Sequence, residues 1–293
     1  MSTIGVVGLG LLGHAIASRL IAAKHRVVGY DVVSARGDAL TALGGETAAS
    51  VGAVAKSVDV VCTILPSLDA VETVILGADG IVAAARPGTA VVQMSTVSPA
   101  LTERLARAVT AQGLGFLDCP ISGTSGMVER GQGVIFVGGT RELFDRWQTM
   151  LASVLPRPAY IGLAGQAMTL KLVANLLVAL HSAAAAEALV MARQAGLDLD
   201  LVLEVLGAGA ATSRMLEVRG PLIAKGEFPP QMKLDLFMKD LHLIQDAARA
   251  VGAPLPLTDV AERLYAAVNA EGHGGEDLSV VVRALERMTG AKG

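Results

Sequence analysis

The sequence predicts an α/β protein in two parts: residues 1–163 built on a parallel twisted sheet, and residues 164–293 all helical, joined through a long helix. Three observations predict this. An apolar strand-like run opens the chain and breaks into a glycine turn at Gly8, Gly10 and Gly13. Short β-branched runs then alternate with Ala-rich amphipathic segments, the pattern of βαβ units. From about Leu163 onward the strand-like runs stop and helical periodicity alone continues.

The first element runs from Ile4 through Gly-Val-Val-Gly-Leu-Gly-Leu-Leu-Gly13 into an Ala/Leu-rich helix. A G-x-G-x-x-G run at a strand-to-helix turn is the fingerprint of a Rossmann dinucleotide-binding domain, and each glycine has its own reason. Gly8 makes the tight turn, Gly10 lets the backbone approach a pyrophosphate, and Gly13 lets the helix pack closely on the strand. The helix start at Leu11 and Leu12 then holds the phosphates through its N–H groups and its dipole. The second strand, from Arg26, ends in Asp31, where a carboxylate accepts both adenosine-ribose hydroxyls and repels a 2′-phosphate. NAD is therefore expected, with NADP the alternative because Arg36 lies close enough in sequence to pair with a 2′-phosphate. A chance glycine turn, and an Asp that merely opens the next turn, are the plainer readings. The strand before, the helix after and the acid downstream together favour the cofactor site.

Further strands are expected at Val58–Leu65, Thr89–Met94, Gly115–Asp118 and Gly133–Gly138, and helices at Leu170–Ala195, Leu199–Leu206, Gln231–Val251, Pro256–Ala270 and Leu278–Met288. A hydrophobic share of 52% with 3% aromatic residues suits such a core. The net charge of -3 offers no basic field, so neither nucleic acid nor an anionic membrane is an expected partner; small molecules are. Cys62 and Cys119 show no C-x-x-C spacing and read as reduced, buried residues of a cytoplasmic protein. Residues Met1 to Ala23 lack a basic leader segment and read as mature sequence. The apolar stretch Leu170 to Ala192 has transmembrane length, but Lys171, Asn175, His181 and Glu187 would be costly in lipid, so it reads as a buried helix.

The candidate chemistry lies near the junction of the two parts. Lys171 and Asn175 stand one helical turn apart and share a face at the start of the long helix, just after the Gly162-Leu-Ala-Gly165 turn. A lone lysine in an apolar helix is ordinarily a snorkelling surface residue, so its neighbours in other motifs carry weight. One is Asp118-Cys-Pro-Ile-Ser-Gly-Thr-Ser125, a strand end followed by residues that present N–H and O–H donors to an anion, or else an ordinary Ser/Gly loop. Another is Met94-Ser-Thr-Val-Ser-Pro99, in which Ser98 is expected to cap a helix with Pro99 in its first position. The cleft between the two parts is the default site. The five histidines lack ligand spacing, so no metal is expected, and His181 reads as hydrogen-bonded within the core.

Taken in order, these motifs resemble the β-hydroxyacid dehydrogenase family nearly end to end. They are Gly8-Leu-Gly-Leu-Leu-Gly13, Leu65-Pro66, Ser95-Thr96, Asp118-Cys-Pro-Ile-Ser-Gly123, Gly165 with Lys171 and Asn175, Met238-Lys-Asp-Leu241, and Gly272-His-Gly with Asp277 and Ser279. The resemblance implies that Lys171 is catalytic and contacts the substrate oxygen, with Asn175 orienting substrate and lysine. It implies that Ser122 and Gly123, with Thr124 beside them, hold the substrate carboxylate, and that Leu65, Pro66 and Thr96 line the nicotinamide side. Lys239 would close over the cofactor from the helical part. Homodimers or homotetramers are implied as well.

The chemistry suits those roles. Oxidising an alcohol needs a proton acceptor at the hydroxyl while hydride leaves carbon, and the reverse reaction needs a proton donor; a lysine serves for either. The expected function is hydride transfer between a nicotinamide cofactor and a small 3-hydroxy carboxylate, or reduction of the matching semialdehyde. This chain departs from many members in reading Ser122-Gly123-Thr124-Ser125 where they have Ser-Gly-Gly, which makes reduction of a sulfonated or otherwise anionic-tailed aldehyde such as sulfolactaldehyde the alternative, with Arg214 as a candidate contact. An imine reductase usually replaces the lysine, and an inactive cofactor-bound scaffold would not need Lys171, Asn175 and Ser122 together; both are weaker readings.

Overall fold

In the computed structural model, which describes residues 2–290, the chain divides into two compact units, one ending at Lys171 and the next beginning at Leu172. The first unit carries β1 (Thr3–Val7), α1 (Leu11–Ala22), β2 (Arg26–Tyr30), α2 (Ser34–Ala42), β3 (Glu46–Thr47), α3 (Val51–Ser57), β4 (Val60–Thr63), α4 (Leu68–Leu76) and α5 (Ile81–Ala84). It continues with β5 (Ala90–Gln93), α6 (Pro99–Thr110), β6 (Gly115–Asp118), β7 (Ile121–Ser122), α7 (Ser125–Glu129), β8 (Val134–Gly138), α8 (Arg141–Val154) and β9 (Ala159–Gly162). Strand order is β3-β2-β1-β4-β5-β6-β8-β7, with β9 beside β8. The chain moves outward from β1 to β3 on one side and from β4 to β6 on the other, so the strand order reverses between β1 and β4, where open α/β sheets place their ligands.

The expected parallel sheet runs from β3 to β6, and β8 then pairs antiparallel with both β6 and β7. Residues 123–133 fold the chain back along β7 as a hairpin, with Ile121 opposite Ile135 and Ser122 opposite Val134, and this return sets the direction in which β8 meets β6. Both faces of the sheet are covered, as the β-branched runs require. Val60, Cys62, Val92 and Leu117 pack on one face with Ile16 and Leu20 of α1 and Trp147 and Leu151 of α8. The alternate residues Val61, Val91 and Phe116 pack on the other with Val54, Val71, Ile75 and Leu105. The two thiols are buried, and burial pushes Cys62 up to about 12, which leaves it an inert core residue.

The long helix α9 (Gln166–Gln194) runs across the boundary and begins four residues earlier than the periodicity suggests. The second unit continues with α10 (Leu199–Ala208), α11 (Arg214–Lys225), α12 (Leu234–Val251), α13 (Pro256–Ala270) and α14 (Val282–Met288), with 3-10 turns at His273–Gly275 and Leu278–Val281. Helix α12 starts at Leu234 rather than Gln231, after Pro229 and Pro230, where Leu234 N–H donates to the Glu276 carbonyl at 2.9 Å. A buried ion pair holds this unit: Arg219 donates to Asp277 Oδ1 at 3.1 Å, and the same carboxylate accepts the Ser279 N–H and hydroxyl and the Met232 N–H. Tyr265, fully buried against Phe237, donates its hydroxyl to the Ala179 carbonyl of α9 at 2.9 Å.

By length and composition α9 is apolar enough to cross a membrane, yet Lys171, Asn175 and Ser182 are all buried along it. His181 lies on its exposed face with Leu177, Ala184 and Ala188, not in the core as expected; the next two residues, Ser182 and Ala183, take the buried face instead. Arg214 opens α11 and pairs with Glu217 at 2.9 Å on the surface.

Candidate active site

The glycine turn separates into two kinds of position. Gly8 has φ +93°, and a Cβ there would stand 2.1 Å from the Ile64 carbonyl oxygen; a Cβ on Gly13 would stand 1.9 Å from the Gly8 carbonyl oxygen. The protein's own packing requires both. Gly10 has an ordinary φ of -62°, and a Cβ there would meet no atom within 4 Å. Its missing side chain opens space beside the start of α1, which has no N-cap side-chain bond; its first N–H groups have no partner inside the helix. An open cradle at an uncapped helix N-terminus fits a pyrophosphate.

Asp31 stands just past β2 with its side chain 4% exposed. Oδ2 accepts the Leu9 N–H at 2.7 Å, Oδ1 accepts the Val33 N–H at 2.9 Å, and Arg36 approaches both oxygens at 3.2 Å. Burial pushes its pKa upward, but the two backbone bonds and Arg36 outweigh that and hold the carboxyl below its usual range. Asp31 thus has a structural share in the glycine turn, and Arg36 competes for the oxygens that would receive a ribose.

The ends of β4 and β5 are tied together. Ser95 Oγ accepts the Leu65 N–H at 2.8 Å, and Gln93 clasps Ser95, donating Nε2 to its carbonyl at 2.9 Å and accepting its N–H. Leu65 is thereby fixed beside the Gly8 turn, with Pro66 exposed after it and Thr96 half-buried after Ser95. Ser98 caps α6 by accepting the Leu101 N–H at 3.1 Å, with Pro99 at the helix start.

The loop after β6 carries Ser122, Gly123 and Thr124. Ser122 pairs with Val134, and a Cβ on Gly133 would stand 2.7 Å from the Ser122 carbonyl oxygen at φ +116°. Gly133, absent from the sequence-based site, is what lets the hairpin close. Thr124 caps the short α7, its hydroxyl oxygen accepting the Met127 N–H at 3.3 Å. Asp118 at the start of this segment is fully buried, and its Oδ2 accepts the N–H groups of Gly165 and Met168 at 3.0 and 2.9 Å. Burial pushes this carboxyl up to about 7 in spite of both bonds.

Lys171 is 6% exposed and Asn175 3% exposed, one turn apart on α9. In the second unit, Asn175 Nδ2 donates to Asp240 Oδ2 at 2.8 Å, and Lys239 Nζ stands 2.9 Å from Asp240 Oδ1. The contact fixes the amide, since only its nitrogen can face a carboxylate. Asp240 lies in the Met238-Lys-Asp-Leu241 motif, of which only Lys239 reads as a site residue from the sequence; the motif marks the position, but nothing in it marks the partner 65 positions away. Among the described residues, no group of three His, Cys, Asp or Glu side chains is placed to hold a metal.

Comparison with known proteins decides the family. Residues 3–162 match a profile described as the NAD binding domain of 6-phosphogluconate dehydrogenase, and residues 165–285 one described as NAD-binding of NADP-dependent 3-hydroxyisobutyrate dehydrogenase. The chain belongs to the β-hydroxyacid dehydrogenase family. It is 34% identical to an L-threonate dehydrogenase of Cupriavidus necator over 96% of this chain and 95% of that one. It is 33% identical to a 2-(hydroxymethyl)glutarate dehydrogenase of Eubacterium barkeri over 98% and 96%. A crystal structure of 3-hydroxyisobutyrate dehydrogenase from Salmonella typhimurium superposes with a TM-score of 0.88 at 33% identity, covering 96% of this chain and 99% of that one. This β-hydroxyacid dehydrogenase is an NAD(P)-dependent oxidoreductase of a family that acts on small hydroxy acids and semialdehydes.

Proposed function

We propose that this enzyme oxidises a small 3-hydroxy carboxylate, or reduces the matching semialdehyde, with Lys171 as proton acceptor in one direction and donor in the other. The observation that carries the proposal is the buried Lys171 one turn before Asn175, whose amide is oriented by Asp240. With its nitrogen on Asp240, Asn175 keeps its oxygen for the substrate hydroxyl or the lysine. Ser122 and Gly123 hold the substrate carboxylate, and Thr124 adds a hydroxyl suited to a polyhydroxylated acid such as L-threonate.

The nicotinamide cofactor, when bound, takes up or delivers the hydride. Gly10 with the N–H groups of Leu11, Leu12 and Gly13 holds its pyrophosphate, Asp31 its adenosine ribose, and Leu65, Pro66, Thr96 and Lys239 the remainder. Asp31 favours NAD, and Arg36 admits NADP as the second choice. On this reading residues 1–163 bind the dinucleotide and residues 164–293 serve substrate binding and subunit contact. Exposed Val173, Leu177 and Met191 on α9 support a homodimer or homotetramer, and the two buried thiols suit the cytoplasm.

The test is cofactor reduction with NAD and with NADP against L-threonate, 3-hydroxyisobutyrate, glycerate, 4-hydroxybutyrate and sulfolactate. Turnover of a carboxylate, lost by about a hundredfold or more in Lys171→Ala with NAD affinity kept, is the expected result. A fully active Lys171→Ala removes the lysine from the mechanism, and turnover of sulfolactate alone moves the substrate to the sulfonates.

A further inference from the structure

We infer that Asp118 is the positioning residue for Lys171: its buried Oδ2 fixes where the lysine-bearing helix begins relative to the strand that leads into Ser122 and Gly123. The inference rests on the reading of Lys171 as the proton-transfer group. All the residues it uses lie in the first unit.

The first N–H groups of a helix have no partner inside it and need an acceptor from elsewhere. Helix α9 is preceded by Leu163, Ala164 and Gly165, none of which has a side-chain acceptor. A local Ser, Thr or Asn would meet that need without burying a carboxylate. Asp118 does so instead from 47 and 50 residues away, accepting the Gly165 N–H at 3.0 Å and the Met168 N–H at 2.9 Å on one oxygen. The helical ladder starts at the same place, with the Thr169 N–H bonded to the Gly165 carbonyl at 2.9 Å. Lys171 follows in the next turn.

On its other side, Asp118 is the last residue of β6, four positions before Ser122. One side chain therefore spans the anion loop and the helix of the catalytic lysine. Its surroundings leave it little freedom: a Cβ on Gly138 would lie 3.3 Å from Asp118 Oδ2 and 2.7 Å from the Leu163 carbonyl oxygen. A second strut braces the same turn, since Gln166 Oε1 accepts the Leu163 N–H at 2.8 Å. The arrangement is costly to the fold, because Asp118 Oδ1 is buried with no hydrogen-bond partner. Placement of the lysine is what that cost secures.

The test compares Asp118→Ala and Asp118→Asn with Lys171→Ala in the full-length enzyme, using the carboxylate turned over in the panel above. A catalytic group displaced by about 1 Å loses about a hundredfold in rate. The expected result for Asp118→Ala is a fall of that order in kcat, KM for NAD within about threefold, and amide exchange at Gly165 and Met168 faster by tenfold or more. In Asp118→Asn the amide oxygen accepts the same two N–H groups, so most of kcat and the slow exchange return. Should Asp118→Ala not fold, Asp118→Glu replaces it: the added methylene displaces the helix start and kcat falls, while Asp118→Asn stays active. Wild-type kcat in Asp118→Ala or Asp118→Glu, unchanged exchange, or an Asp118→Asn as slow as Asp118→Ala overturns the inference. An active Lys171→Ala, or a wild type silent on the whole panel, is instead the failure of the underlying reading, and amide exchange then still decides whether Asp118 sets the helix start.

Discussion

Gly10→Ala and Gly13→Ala separate a glycine kept for a ligand from a glycine kept for the fold. A Cβ on Gly13 would lie 1.9 Å from the Gly8 carbonyl oxygen, and ordinary contact starts near 3.4 Å, so α1 and the end of β1 must part by about 1.5 Å. Forced overpacking of that kind costs about 1–3 kcal/mol or more. At Gly10 no atom lies within 4 Å of the added methyl and φ is -62°, a value any residue adopts, so stability is expected to change by no more than about 0.5 kcal/mol. On the proposed reading the methyl stands instead where the pyrophosphate would approach, and a tenfold or greater loss of NAD affinity is expected, about 1.4 kcal/mol. Urea unfolding and calorimetric titration with NAD measure the two effects. The reasoning fails if Gly10→Ala binds NAD within twofold of wild type, or if its unfolding midpoint falls as far as that of Gly13→Ala.

Three further outcomes are expected. Asp118 is held near 7 in the folded protein against 3.8 as its ordinary value, so the stability it contributes is fully present below about pH 4 and lost as pH rises through about 7. The gap is worth about 4 kcal/mol; urea unfolding of wild type and Asp118→Asn at pH 4 and pH 8 should show their difference moving by up to that amount in favour of Asn, and an unchanged difference counts against it. Arg36→Ala uncovers Asp31 and removes the cation paired with it, so NADP affinity should fall at least tenfold while NAD affinity holds or rises, read as the ratio of dissociation constants. Asp240→Leu leaves the buried Asn175 amide without its acceptor; kcat/KM for the hydroxy acid should fall tenfold or more with NAD binding unchanged, and a variant with wild-type kcat/KM would refute the role given to that contact.

What was legible in the sequence was whatever is encoded locally. The glycine turn, the short β-branched strand runs and the Lys171–Asn175 face are short-range patterns, and Ser98-Pro99 is a local cap. What was not legible joins distant segments. The bonds of Asp118 to Gly165 and Met168 and of Asn175 to Asp240 have no signature in spacing, because chain folding alone brings those partners together. Strands β3 and β7 are two residues each, too short for a strand pattern to show, and without β7 visible the hairpin that turns β8 antiparallel has no signature in the sequence. His181 was misplaced because a periodic helix of this composition presents apolar residues on more than one face.

The clasp between Gln93, Ser95 and the Leu65 backbone has a consequence for altering this enzyme. The course of the main chain past the β4 end is held by side chains that are themselves buried, in addition to the half-buried Leu65, which packs on the core, and the Pro66 ring, which fixes its own φ. On the proposed reading, a library at Leu65 would vary the lining of the site on a backbone that Gln93 and Ser95 still clasp, whereas one that included Pro66, Ser95 or Gln93 would mix changes of lining with changes of frame.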